Sequence, residues 1–442
     1  MTDIIVALSA CRLSRIQPQG KLFNTSRSPG LCFRPDAGHE SLSHEHYGAV
    51  MRKVAWWDPQ AFDANPNLGL AILVFFCYLE SSMGNFREYR VHSDGAKKLM
   101  RSNPGWMIRH GAGLLAAWVE VETQNYWRRV HFSTPSFHWS HGTQPPLGPQ
   151  AESVLNPTSH PRATVLTILC ETHRLNTAAV ASCWDRCWGK DPQDGATAAS
   201  IPAGSEQSDI ALLLNLTLGE YATLLQVQSK KLDDWIAFLP EFYQDKGPHA
   251  AAPGRRGLDI QPLYFKSQAS AMNFAYYVTA RVMQCIGPLE SFELTSHVDV
   301  DDKYEEAEPW ILTLLRIAAG LDWEECVRLN VYTIGFVSLL PDCIMRSRNP
   351  AVGLWMQDWL EERLKGDAFE EGNFPVFQVL DILRLVNRER ADGRDVVSLF
   401  QAVDDEGGSG KLGSYSSQHL TSVCVYGRCR TTGRMSSYIM AL

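Results

Sequence analysis

The stretch Ser270-Ala-Met-Asn-Phe-Ala-Tyr-Tyr-Val-Thr-Ala-Arg-Val-Met-Gln284 decides how the chain is read. Ala271, Phe274, Ala275, Val278 and Val282 recur at the three–four spacing of one helical face, and Met272, Tyr276 and Met283 extend the apolar surface beyond it. A helix that is apolar on most of its circumference is a buried one. Tyr277 and Arg281 mimic the Tyr-x-x-x-Lys pair of short-chain dehydrogenases, but Arg stands in place of Lys and no Gly-x-Gly-x-x-Gly turn follows a strand. The stretch is therefore expected to be a central core helix.

Helical periodicity continues on both sides. Leu68–Leu79 is expected to lie in a helix capped by Asn67 and ended by Gly84, with its apolar run short of the ~20 residues that cross a bilayer. Helices are expected from Phe86, from Gly113, from Asp209, over Glu308–Leu321 behind Pro309, over Ala351–Gly366 with a Glu361–Lys365 pair, and from Phe374. Only Ser422–Arg430 alternates like a strand, and no βαβ rhythm surrounds it. Ser133–Pro161, Gly189–Ser208, Gln244–Leu258 and Asp404–Ser414 read as long loops between helices. The expected fold is an all-α array forming a single domain over 1–442: N-terminal helices and loop at 1–60, a helical block at 61–132, a loop at 133–162, a central helical block at 163–403, and a loop with C-terminal segment at 404–442.

At 442 residues, 45% hydrophobic and 20% charged, the chain has ample core material. Its net charge of −8 argues against phosphate neutralisation by the chain as a whole. Eleven cysteines include no Cys-x-x-Cys pair, which fits reduced thiols rather than a disulfide framework or zinc ribbon. Asp3 stands where a secretory signal carries positive charge, so no secretion is expected.

Several motifs invite chemistry and are outweighed by plainer readings. Gly407–Ser414 (GGSGKLGS) fails the phosphate-loop pattern at Asp405 and Leu412 and is expected to be a surface loop. His39, His44 and His46, and separately His131, His138 and His141, have spacings suited to zinc, but are expected to be solvated loop histidines. Cys183 and Cys187, beside Trp184 and Trp188, would be half a metal site without a second half. Asp299, Asp301 and Asp302 lack the glycine and terminal glutamate of an EF-hand loop. No catalytic, metal-ligating or DNA-contacting residue is assigned.

Read segment by segment, the chain resembles the fungal-specific transcription factor domain found downstream of Zn(II)2Cys6 clusters. Asp3–Arg15 is similar to that domain's early helix and Glu45–Val54 to the next. Leu70–Met100 resembles its helix pair, with His92, Gly95 and Ala96 closing the second helix and Tyr89 where a Trp is frequent. Leu232–Phe242 followed by Phe265–Gln284 is similar to its Trp–Leu-Pro turn and central helix. Tyr332–Leu340, Leu354–Leu364 and Gly372–Val396 resemble later helices, and Val425–Leu442 the family's ending.

The resemblance implies a non-catalytic transcriptional regulator in the nucleus, acting through protein partners or a homodimer and a possible small-molecule effector, with no membrane role. It also implies a six-cysteine DNA reader holding zinc. Without any Cys-x-x-Cys, zinc and DNA contacts have no positions here; either the reading frame begins downstream of such a cluster or the protein has lost it, and DNA is reached through that cluster or a partner. Two alternatives stand beside this: a cluster-less co-regulator that pairs with a full-length factor, and an α-helical enzyme whose His and Asp residues assemble from distant segments.

Overall fold

The computed structural model describes residues 2–16, 20–21, 33–57, 65–83, 85–103, 105, 111–130, 154–155, 158–188, 217–238, 256–285, 302–364, 370–372, 374–401 and 422–442. Its helices are α1 (Thr2–Ile16), α2 (Ala37–Ala55), α3 (Pro66–Met83), α4 (Phe86–Ser102), α5 (Ala112–Val130), α6 (Pro161–Trp188), α7 (Leu218–Ala237) and α8 (Gln268–Gln284). They continue as α9 (Asp302–Glu305), α10 (Glu308–Gly320), α11 (Trp323–Leu329), α12 (Leu340–Arg346), α13 (Pro350–Leu364) and α14 (Val376–Ala391). Two-residue strands β1 (Gly20–Lys21) and β2 (Phe33–Arg34) pair antiparallel, as do β3 (Glu370–Glu371) and β4 (Phe374–Pro375). A longer sheet is built from β5 (Arg394–Gln401), β6 (Ser422–Cys429) and β7 (Met435–Ala441).

The helix starts follow local chemistry. Thr217 and Glu220 form a reciprocal capping box at α7, Ser267 caps α8 through Ser270 N, and Asp36 caps α2 through His39 N. α3 begins earlier than expected: Gly69 N donates to Asn65 O, so Pro66 rather than Asn67 opens the helix. Gly84 and Lys365 lie outside the described residues, and Glu361 pairs with Arg384 at 2.9 Å. Among the described residues α3 is long and apolar enough to be compared with a membrane span, but 56% of that window is buried inside the protein.

Ala271–Ala280 of α8 are buried without interruption, as the all-round apolar sequence requires. Around it α5, α6, α7, α10, α12, α13 and α14 contribute to one apolar cluster that includes Trp127, Trp235, Trp355 and Trp359. Smaller clusters join α3, α4 and α5, and others seat α1 and α2 on α3.

The all-α expectation holds for most of the protein and fails at the C-terminal end. There β5, β6 and β7 make an antiparallel sheet in that order, with Arg394 opposite Cys429 and Ser422 opposite Ala441. The sheet is part of the core: Val396, Leu399, Val423 and Val425 join the main cluster, while Val397, Phe400 and Tyr426 pack on Leu175, Val180 and Tyr221. An irregularity between Val396 and Ser398 shifts the register, so residues three apart share a face. That shift hides the two-residue alternation in the sequence, and Arg394–Gln401, which fell within the block 163–403 read as helical, is a strand. Glu389 of α14 ties the sheet down, accepting from Arg394 Nε at 2.6 Å and from the Tyr438 hydroxyl.

A non-helical segment, Asn330–Phe336, threads the middle of the protein and its polar backbone is satisfied by three buried side chains. Gln124 Nε2 donates to the carbonyls of Val331 and Thr333, both at 2.8 Å, and Tyr276 Oη donates to Ile334 O at 2.5 Å. Glu371 accepts from Asn330 Nδ2 at 2.5 Å, Phe336 N at 2.9 Å and Val337 N at 3.0 Å. The approach demands glycine on both sides. Gly372 has φ +63°, and a Cβ there would lie 2.4 Å from Gly335 N; a Cβ on Gly335 would lie 2.4 Å from Glu371 Oε2.

Two substitutions test this clasp by denaturant unfolding. Glu371→Gln keeps the shape but turns an amide donor toward backbone N–H groups, and is expected to cost about 1–3 kcal/mol. Gly372→Ala is expected to cost more than about 2 kcal/mol, from positive φ and the clash together. Wild-type midpoints for both would remove the clasp from the stability argument.

Candidate functional site

One group of buried and half-buried titratable residues comes together under the N-terminal helix pair. Tyr47 on α2, Glu80 on α3 and His92 on α4 form a hydrogen-bonded chain across three helices. α2 exposes Leu42 and Met51 while burying Val50, and so turns Tyr47 toward α3. Glu80 ends the apolar face of α3 and is 1% exposed. His92 lies on the buried face of α4 with Tyr89, Ala96 and Leu99. Phe76, one turn before Glu80, packs its ring 5.4 Å from Tyr47, which is half-buried, and 4.7 Å from His92.

The Tyr47 hydroxyl donates to Glu80 Oε1 and lies 3.1 Å from His92 Nε2. Glu80 Oε2 makes no hydrogen bond of its own, although the Asn85 side chain sits close enough to favour the charged form. Burial dominates and pushes the Glu80 carboxyl up to about 7, against the pull of Tyr47 and Asn85. Burial likewise lowers His92 from its ordinary value, against Glu88.

One phenolic proton thus serves two neighbours. With Glu80 ionised, Tyr47 donates to it and His92 presents Nε2–H to the hydroxyl. With Glu80 protonated, the carboxyl can donate to Tyr47, whose own proton turns to the Nε2 lone pair. Glu80 ionisation is therefore coupled to the His92 tautomer, near neutral pH and across three helices. The arrangement can store and shift a proton.

A cavity of about 20 Å³ lies one turn away, between Ser14, Arg15, Glu40, Ser43, His44 and Met83. A second, of about 40 Å³, lies between α6, α12 and β5, where His173, Asn176, Asp342, Arg346 and Ser398 converge. Arg346 Nη2 donates to Asn176 Oδ1 at 3.2 Å there. Each volume suits ordered water rather than a metabolite.

The motifs singled out in the sequence fare differently. His39, His44 and His46 lie on α2, not in a loop, and do not converge: His39 faces Asp36, His44 lines the smaller cavity, and His46 Nδ1 is 3.1 Å from Asp3. No group of three potential metal ligands occurs among the described residues. His131, His138, His141, Asp299, Asp301 and Gly407–Ser414 lie outside them, as do the side chains of Asp302, Cys183 and Cys187. Asp302 opens α9, and Cys183 and Cys187 fall in the last turns of α6.

Tyr277 and Arg281 do meet, Nε to Oη at 3.2 Å, but Arg281 is engaged by Ser229 and Asp233 and Tyr277 is stacked between Trp235 and Phe274. They are packing groups. The sequence reading passed over Tyr47 and Glu80. The available signal was a single carboxylate at the end of the apolar run Leu68–Leu79.

No family model matches the chain, and no curated protein or solved structure matches it.

Glu80 sets a pH dependence whose sign is fixed. Its folded value lies above the ordinary 4.5, so its contribution is fully present below about 4.5 and is lost as pH rises through about 7. Glu80→Gln is expected to remove that loss, gaining roughly 2–3 kcal/mol over wild type at pH 8.5 and little at pH 5. Chemical denaturation at the two pH values measures it; a pH-independent difference would rule out titration of Glu80.

Proposed function

We propose that this chain is the helical regulatory domain of a Zn(II)2Cys6-type transcriptional regulator, working in the nucleus through partner proteins rather than by catalysis. The observation that carries the reading is how the segments resembling that family are arranged. Asp3–Arg15, Glu45–Val54, Leu70–Met83, Phe86–Met100, Leu232–Ala237, Gln268–Gln284, Leu354–Leu364 and Val376–Ala391 fall in helices of one packed body. Trp235, from the Trp–Leu-Pro turn segment, stacks on Tyr277 of the central helix, rings 5.7 Å apart. The resembling pieces therefore touch one another as one unit would.

A regulatory domain needs an element with two arrangements that a partner can bias. The pair α1–α2 suits that role. It rests on α3 through small apolar clusters and on the body through polar contacts, Arg15–Glu370 at 2.5 Å and Arg12 Nη2 to Val327 O at 3.2 Å. The proton-sharing chain beneath it adds a second point of control. The two cavities found among the described residues are water-sized, and the reading takes a protein partner as the effector.

The test is a fusion of the chain to a heterologous sequence-specific DNA-binding domain above a reporter gene. Output is expected to change several-fold in either direction, while the purified chain alone gives no sequence-selective shift of duplex DNA at physiological salt. A correctly localised fusion that leaves the reporter at its baseline, or a tight selective complex of the lone chain with duplex DNA, overturns the proposal.

A further inference from the structure

Among the described helices α4 is the most sharply two-faced. Tyr89, His92, Ser93, Ala96 and Leu99 are buried against α3 and α5. The opposite face presents Arg87, Arg90, Val91, Asp94, Lys98 and Arg101, all exposed. At a turn of 3.6 residues these positions fall within an arc of about 100°, and from Arg87 to Arg101 the stripe runs about 21 Å. Among the described residues Arg87, Arg90, Lys98 and Arg101 make no ion pair or hydrogen bond, unlike Lys97, which reaches back to Glu122 at 3.0 Å. A straight row of cations without a partner among the described residues, on a chain of net charge −8, is a local inversion of sign.

From this we infer that the outer face of α4 is a docking surface for an acidic helical segment of a partner protein. Charge complementarity selects the sign of the partner, and the geometry selects its form: a row in one narrow arc matches carboxylates repeated at three–four spacing on a second helix. Val91, 60% exposed and flanked by Arg87 and Arg90, supplies an apolar contact near one end. Asp94, with its side chain 64% exposed, interrupts the row and favours a segment with a gap or a cation opposite it.

Two other polyanions fit less well. A nucleic acid presents an unbroken lattice of phosphates, which Asp94 and the overall negative charge both oppose. An anionic lipid surface requires an apolar face to bury, and Val91 is the sole large apolar residue on the stripe. The inference does not rest on the transcriptional reading and would hold for a regulator of any kind.

The probe is a fluorescein-labelled 18-residue Ala/Glu helical peptide with glutamates at three–four spacing and a leucine near one end, followed by anisotropy. Binding to the full chain is expected at 50 mM NaCl and to weaken at least tenfold by 300 mM. Arg87→Glu/Arg90→Glu/Lys98→Glu/Arg101→Glu is expected to abolish it, with an unchanged circular dichroism spectrum because these side chains are exposed. Asp94→Ala is expected to tighten it several-fold, whereas Arg388→Glu, at an exposed position elsewhere, leaves it unchanged. The inference is overturned if the wild-type chain fails to bind the peptide, if the quadruple variant binds it equally, or if random-sequence duplex DNA or phosphatidylserine vesicles bind more tightly through the same four residues.

Discussion

The carboxylate of Glu371 is the contact on which the rest of the architecture turns. A stretch of irregular backbone at the centre of a helical protein is costly unless every amide and carbonyl finds a partner, and helices cannot supply those partners themselves. Here a strand residue supplies an acceptor for two consecutive N–H groups and for Asn330, while Gln124 and Tyr276 supply donors for the carbonyls. Those side chains come from β3, α5 and α8, so satisfying one loop fixes three separate elements against each other. The glycines at 335 and 372 follow from that closeness: no side chain fits between a carboxylate and the backbone it holds.

A second buried carboxylate shows what changes when satisfaction is incomplete. Glu371 has three donors on its two oxygens, while Glu80 has the Tyr47 hydroxyl on one oxygen and no hydrogen bond on the other. Burial raises both. Glu371 is locked among main-chain groups that cannot move without dismantling the core. Glu80 faces a hydroxyl and an imidazole, both of which can reverse their proton, at the seam where the N-terminal pair meets the body. Similar chemistry is thus fixed in one place and adjustable in another, and the difference lies in what surrounds each group.

The surface repeats the contrast. Charges around the C-terminal sheet are consumed internally: Arg394 on Glu389, Arg430 on Asp395, and Arg390 on the carbonyls that end α12. On α4, Arg87, Arg90, Lys98 and Arg101 are left to solvent in a row, with no partner among the described residues. Arginines that hold the fold together and arginines available to a partner are chemically identical; position on the helix and the presence of a carboxylate within reach separate them.

Helical periodicity determined most of what is seen. The burial of α8 was legible because its apolar residues cover most of its circumference, which leaves little polar face to turn outward. The start of α10 beside Pro309, and the place of Tyr277 and Arg281 in a core helix, were legible for local reasons as well. The resemblance drawn from the helix-packing pattern supplied the proposed function, with His92 appearing there only as a helix-closing residue.

Tertiary structure alone decided β5, β7 and their pairing with β6, which the alternation of Ser422–Arg430 announced, because strand pairing joins separate segments and the register shift at Val396–Ser398 erases the alternation of β5. It alone decided the Tyr47–Glu80–His92 chain and the Glu371 clasp, since each gathers side chains from separate elements and a sequence carries no distance between them. Local pattern fixes which face of a rod is greasy. Only packing fixes which polar group is left facing which.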